Sequence, residues 1–193
     1  MAARSKDGAA AAGNPSAATA NADPIDWARH FWRRHGLGES EEAFIAMSSV
    51  LRFHRLIVEA TESRLRPHKL NITDYMLLMT LQLSETGTRL ISQLARSLMV
   101  HPSTATLATD RLEALGVIAR GPHPTDRRAI QVSITAKGRT LLAQVTGELR
   151  EIDFGLVGSD VDDQVQLIEV LTRLRLAAGD SDAPLKAPRA GSR

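Results

Sequence analysis

Apolar residues recur at helical spacing along most of the chain and give way to strand-like alternation in one place, between Val117 and Ile134. The first periodic segment opens at Asp23, with Pro24 at the first helical position and Asp26 in the first turn, and carries Trp27, Phe31 and Trp32 to about His35. A longer one runs from about Glu41 to Arg66. There Phe44, Met47, Val50, Leu51, His54, Ile57 and Val58 form one stripe, and Phe53, Leu56 and Ala60 widen it, the pattern of a helix covered on more than one side. Pro67 stops it. Thr73 caps the next helix, Asp74 to Leu83, whose run YMLLMTLQL is almost wholly apolar and marks a central buried helix. Near the other end Thr135 caps a helix to about Asp153, with Leu141, Leu142, Val145, Leu149 and Ile152 inward; Gly155 and Gly158 break it. Ser159 starts a last helix to about Ala177. Its Val161, Val165, Leu167, Ile168, Leu171 and Leu174 exceed what one lobe covers, so a second subunit is the economical partner.

Between these flanks the period changes quickly. LISQLARSLMV reads as a short helix, and HPSTATLATDRLEALG as a second, with Ala105, Ala108, Leu112 and Leu115 inward. VIARG and AIQVSITAKG then flank the basic segment PHPTDRR as two strands, and Arg89 with Leu90 adds a short third strand. The fold class is therefore mainly α with a small β-hairpin: a winged helix-turn-helix flanked by N- and C-terminal dimerisation helices. In the second helix His101 stands at the N-cap and Pro102 at N1, and Gly116 ends it as a left-handed residue. Ser103, Thr104, Thr106, Leu107, Asp110 and Arg111 face outward. Small hydroxyl side chains there let the backbone approach a groove wall and bond base edges or phosphates, although an ordinary surface helix carries the same residues. The hairpin tip decides between the two: Arg127 and Arg128 on a loop stiffened by two prolines suit a minor groove, with Asp126 as a brace for an arginine.

Net charge is only +2, but it is polarised. From Arg89 to Arg139 eight Lys or Arg stand against Asp110, Glu113 and Asp126, a net +5, while the remainder carries a net −3. A basic head on a faintly acidic body fits a polyanionic partner. The absence of cysteine excludes disulfides and thiolate metal sites. The six histidines form no HExxH and no i, i+4 pair, and no GxSxG, P-loop or dinucleotide glycine pattern occurs. No enzyme, metal site or cofactor is expected, and without an apolar run of spanning length a cytoplasmic protein is.

The residues SQLARSLMVHPSTATLATDRLEALGVI, PTDRR and ITAKGR together resemble the transcription regulators of the MarR (multiple antibiotic resistance regulator) family, and the order of elements matches from about Asp23 to Ala177. The resemblance implies a homodimer that binds a pseudo-palindromic double-stranded DNA operator and represses until a ligand relieves it. It carries the wing's Asp-x-Arg onto Asp126 and Arg128. Leu107 stands where many relatives have a polar or basic residue, which points to apolar contact with thymine methyls. The expected DNA contacts are His101, Ser103, Thr104, Thr106, Arg111, Arg127 and Arg128. Relatives with an extra tryptophan-bearing N-terminal helix often answer to organic or urate-like anions, which implies a small anionic or aromatic effector at Trp27 or Trp32, His54, Arg55 and Tyr75. Internal pairing of Arg52, His54 and Arg55 with Glu59 or Glu62, and core packing of Tyr75, are the simpler readings of those residues. A winged helix used for protein or RNA contact, without an operator, is the alternative function. By composition residues 1–22 and 178–193 are disordered or flexible tails around one domain, 23–177, in which 23–66 and 136–177 supply the dimerisation helices and 73–135 the winged helix-turn-helix.

Overall fold

The computed structural model describes residues 23–123 and 130–180. The chain forms two compact units that meet inside one helix, Met1–Val58 and Glu59–Arg193.

In the first unit α1, Pro24–Arg34, is followed by the start of α2, Glu41–Leu65. Asp23 caps α1 as its sequence position predicts, accepting from the amides of Ile25 at 2.7 Å and Asp26 at 3.4 Å. No residue of α1 is fully buried, so its docking depends on a few contacts. Trp32 stacks on Phe44, ring centroids 4.7 Å apart, and its indole N–H donates to the Gly38 carbonyl. Arg29 and Arg33 pair with Glu41, and Arg29 also grips Glu42.

The expected burial of α2 on two sides is not found among the described residues: Met47, Val50, Leu51, Phe53 and Leu56 are exposed. Arg52, His54 and Arg55 lie in the same exposed zone rather than a buried one. The internal pairing expected for them is absent among the described residues, and Glu62 reaches Arg66 instead, at 3.9 Å. The reason is geometric. One turn beyond the α1 clasp, none of the described residues of this unit lies over the apolar stripe, and its cations are exposed.

The second unit is built around α3, Ile72–Gln82, whose Leu77, Leu78 and Leu81 are fully buried as the apolar run predicts. Its cap is not Thr73 but Asn71, whose side chain accepts from the Asp74 amide while the Asp74 carboxylate accepts from the Asn71 amide. This reciprocal capping box satisfies two orphan donors and outcompetes the single bond a threonine cap offers. Around α3 pack α4, Ile91–Ser97, α5, Pro102–Ala114, and α6, Ala136–Arg150, through Leu94, Leu112, Leu142, Val145 and Leu149. Three short antiparallel strands complete the unit: β1, Thr88–Leu90, β2, Ile118–Pro122, and β3, Ile130–Ile134, in the order β1-β3-β2. Thr88 pairs with Ser133 in register, and their hydroxyls are 2.7 Å apart. The short third strand beside the wing is thus present.

Thr135 caps α6 through the Gly138 amide. The helix ends at Arg150, short of the expected Asp153, because Asp153 and Phe154 take left-handed backbone angles, φ 44° and 54°. The last helix, α7, spans Val161–Ala177 and is capped by Asp160 in a box with Asp163, not by Ser159, whose hydroxyl donates back to Leu156. None of its residues is buried, and Val161, Val165, Ile168 and Leu174 stand in solvent.

Candidate nucleic-acid interface

The turn between α4 and α5 is set by backbone bonds. The Met99 and Val100 amides donate to the carbonyls of Arg96 and Ala95, and Met99 takes φ +50°, the left-handed conformation that closes a helix C-terminus. The chain then re-enters a helix at once. His101 is its cap, with Nδ1 3.3 Å from the Ser103 amide and 2.7 Å from the Ser103 hydroxyl, and Pro102 occupies the position whose N–H no helix needs. Ala105, Ala108 and Leu112 are buried as their spacing predicts, and Leu115 is half-buried.

What remains outside is the surface predicted from the sequence. His101, Ser103, Thr104, Thr106 and Leu107 are all exposed on the first two turns. The Thr106 hydroxyl donates to the Pro102 carbonyl, which leaves its lone pairs facing out. Arg111 is differently employed: its Nη2 lies 2.8 Å from Oδ1 of Asp74, a carboxylate 1% exposed at the start of α3. The helix is therefore tied to the core through an arginine placed among its outward residues.

Two residues absent from the sequence reading matter here. Thr109, fully buried, donates to the Thr106 carbonyl and accepts from Arg120, a residue of β2. Arg120 also meets Asp110 and Glu113 on α5. Thr109 falls one position after the inward Ala108, a phase that helical periodicity assigns to the edge of the buried face, and only the neighbouring strand completes its burial. Arg120 alternates onto the face of β2 that buried Ile118 shares, opposite buried Val132, so the strand pattern places it on the covered face without naming its partner.

The hairpin rises from β2 and β3 in unbroken register, Ile118 with Ile134 through Pro122 with Ile130. Asp126, Arg127 and Arg128 lie outside the described residues.

A family model described as "MarR family" matches residues 70–130, from just before α3 to the first residue of β3. Over a wider span the chain is similar to the crystal structure of Sco5413, a MarR family transcriptional regulator from Streptomyces coelicolor: 31% identity, 74% of this chain and 99% of that one, TM-score 0.68. The chain belongs to the MarR family. This MarR protein is also similar to the HTH-type transcriptional regulator PecS of Dickeya dadantii, 29% identical over 61% of this chain and 71% of that one. With the HTH-type transcriptional repressor MdtR of Bacillus subtilis it shares 34% identity over 49% of this chain and 59% of that one. The coarse function follows: a winged-helix, DNA-binding regulator of transcription, not an enzyme.

The residues expected to hold an effector divide between the two units. In the first, Trp27 is exposed on α1 with Phe31 beside it, ring centroids 4.8 Å apart; Trp32 is spent on Phe44; His54 and Arg55 are exposed neighbours on α2. Tyr75 belongs to the core of the second unit, and its hydroxyl lies 3.3 Å from that of Thr146. Among the described residues no cluster of His, Asp or Glu is arranged to hold a metal ion, and no helix is long and apolar enough to cross a membrane.

Electrostatics separate the units further. The hydrogen bond from Arg33 holds the Glu41 carboxyl below the ordinary glutamate range, and that from Arg29 does the same for Glu42. In the second unit the hydrogen bond with His68, 3.0 Å away, lowers Glu148.

Proposed function

We propose that this MarR protein is a repressor that binds a pseudo-palindromic operator as a homodimer and is released by a small anionic ligand. The observation that carries the reading is the first turn of α5. His101, Ser103, Thr104 and Thr106 stand exposed together at the start of the helix, and the β2–β3 hairpin follows it, which suits a helix laid in a major groove with a wing in the adjacent minor groove. The exposed apolar residues of α7 supply the surface for a second subunit. MdtR, called a repressor, supports the sign of regulation.

The ligand reading draws on α2. A groove of about 350 Å³ there is lined by Ser48, Leu51, Arg52, Arg55 and Leu56, two guanidiniums beside apolar side chains, which is the chemistry of an aromatic carboxylate site. Sequencing the DNA that the protein captures from its own genome, followed by gel shifts across a salt series, tests the operator: selective binding with a steep salt dependence is expected, and equal affinity for scrambled DNA rejects it in favour of an interaction module. Screening aromatic and polycarboxylic acids by thermal shift tests the ligand. Hits that persist unchanged in Arg55→Ala would remove the α2 groove from the scheme.

A further inference from the structure

We propose that Arg120 is a positioning residue that fastens the wing to the recognition helix and neutralises the two acids of that helix, and that it touches no DNA. The inference rests on the reading that α5 meets the duplex. Arg120 sits mid-way along β2, opposite Val132 of β3, and its guanidinium turns onto the flank of α5. Nη2 lies 2.6 Å from the Thr109 hydroxyl, 2.5 Å from Asp110 Oδ1 and 3.3 Å from the Thr106 carbonyl oxygen. Nε lies 3.4 Å from Glu113 Oε2, an ion-pair distance without hydrogen-bond geometry, and is itself buried. One side chain of the wing thus engages four successive groups along two turns of the helix.

This arrangement has two effects. The base of the hairpin is packed against α5 through Ile118, Val132 and Ile134, apolar contacts without direction, whereas a planar guanidinium with several fixed acceptors sets the angle between strand and helix further along β2. Second, Asp110 and Glu113 are half-exposed on a helix that approaches phosphates, and unpaired they would repel the backbone of the duplex. Arg120, with its side chain only 21% exposed, supplies the compensating charge from behind, and the hydrogen bonds of its Nη2 all run to α5. Ranking every arginine near α5 as a DNA contact would misplace it.

Three proteins decide the matter: Arg120→Ala, Arg120→Lys, and Arg120→Ala combined with Asp110→Asn and Glu113→Gln. Hydrogen exchange on the free protein is the first measurement. In Arg120→Ala the amides of β2 and β3 should exchange about tenfold faster, with those of α3 and α6 unchanged; unchanged strand amides overturn the brace. The second is affinity for captured operator DNA against salt. Arg120→Ala should bind about tenfold or more weakly, the triple variant should recover several-fold of that loss, and its salt slope should equal that of the wild type because the cluster makes no phosphate contact. A slope lower by about one, or additive effects in the triple variant, overturns the proposal. If Arg120→Ala fails to fold, Arg120→Lys takes its place, since an ammonium keeps the charge but reaches fewer acceptors and should show both effects in reduced form. Should the wild type bind no DNA selectively, the operator reading fails, and the exchange data still decide whether Arg120 holds the wing.

Discussion

Gly138 is the third residue of α6, and a β-carbon there would lie 2.1 Å from the carbonyl oxygen of Val117 and 2.9 Å from Ile134. Backbone cannot yield as a flexible side chain does, so the requirement for glycine is one of space. Gly138→Ala should push α6 away from the base of the wing and lower stability by about 3 kcal/mol, the upper range for overpacking; a loss under about 1 kcal/mol by urea denaturation would show that the helix start shifts freely. Asp74 carries a different kind of demand. Its carboxylate closes the capping box of α3 and receives Arg111 while almost wholly buried. Asp74→Ala removes both roles and should cost about 2 kcal/mol, discounted because Arg111 is nearly half exposed and can find water. Asp74→Asn keeps an acceptor for the cap and should cost roughly half as much by the same measurement. If the two variants are equally stable, the acceptor that asparagine keeps for the cap contributes nothing, and the loss belongs to the ion pair with Arg111.

At the scale of elements, α1 is held by a clasp rather than by a core. The only two tryptophans of the chain, Trp27 and Trp32, both lie on it, so intrinsic tryptophan fluorescence reports α1 alone. Glu41 and Glu42 have folded-state values below the ordinary glutamate value of 4.5 through their bonds to Arg33 and Arg29. A carboxyl lowered by folding stabilises above its unfolded value and loses that contribution as pH falls through its folded one. The fluorescence should therefore be steady near neutrality and shift to that of solvated indole below about pH 4.5, while Glu41→Gln with Glu42→Gln should show the solvated signal already at pH 7. A double variant indistinguishable from the wild type at pH 7 would leave the Trp32–Phe44 stack as sufficient. The clasp also marks where sequence reading stops. The period of apolar residues located the seven α-helices and the two strands of the hairpin, because burial imposes that period directly. Caps were less legible: Asn71, Thr73, Ser159 and Asp160 are all good cap residues, and while Asp74 three positions on favours Asn71 over Thr73, Ser159 and Asp160 each have such an acid, Asp162 and Asp163, so the same rule does not choose between them. Pairings across the fold, Arg111 with Asp74 and Arg120 with α5, left no local trace, since each joins side chains whose own segments are satisfied without them. Exposed Ser103, Thr104 and Thr106 were legible because exposure, like burial, follows helical phase.

For the whole molecule, the unsatisfied surface is apolar. Seventeen residues of α7 bury none of their side chains, and Val161, Val165, Ile168 and Leu174 recur three to six residues apart in water. Such a stripe is costly for a lone chain and is the shape of half a helical interface. The proposed operator binding depends on it, since two α5 helices can read one face of a duplex only when something fixes them about a DNA turn apart. Ile168→Glu places a charge in the middle of that stripe. If α7 faces a second copy, burying the carboxylate should weaken self-association by about 100-fold or more, roughly 3 kcal/mol, and sedimentation at micromolar concentration should show monomers. Affinity for a full operator should then fall towards that for a half-site, while the thermal unfolding of the second unit, whose core α7 does not enter, should move little. A variant that stays dimeric would assign the apolar face of α7 to some other partner, and one that is monomeric yet binds the full operator undiminished would separate dimerisation from DNA recognition altogether.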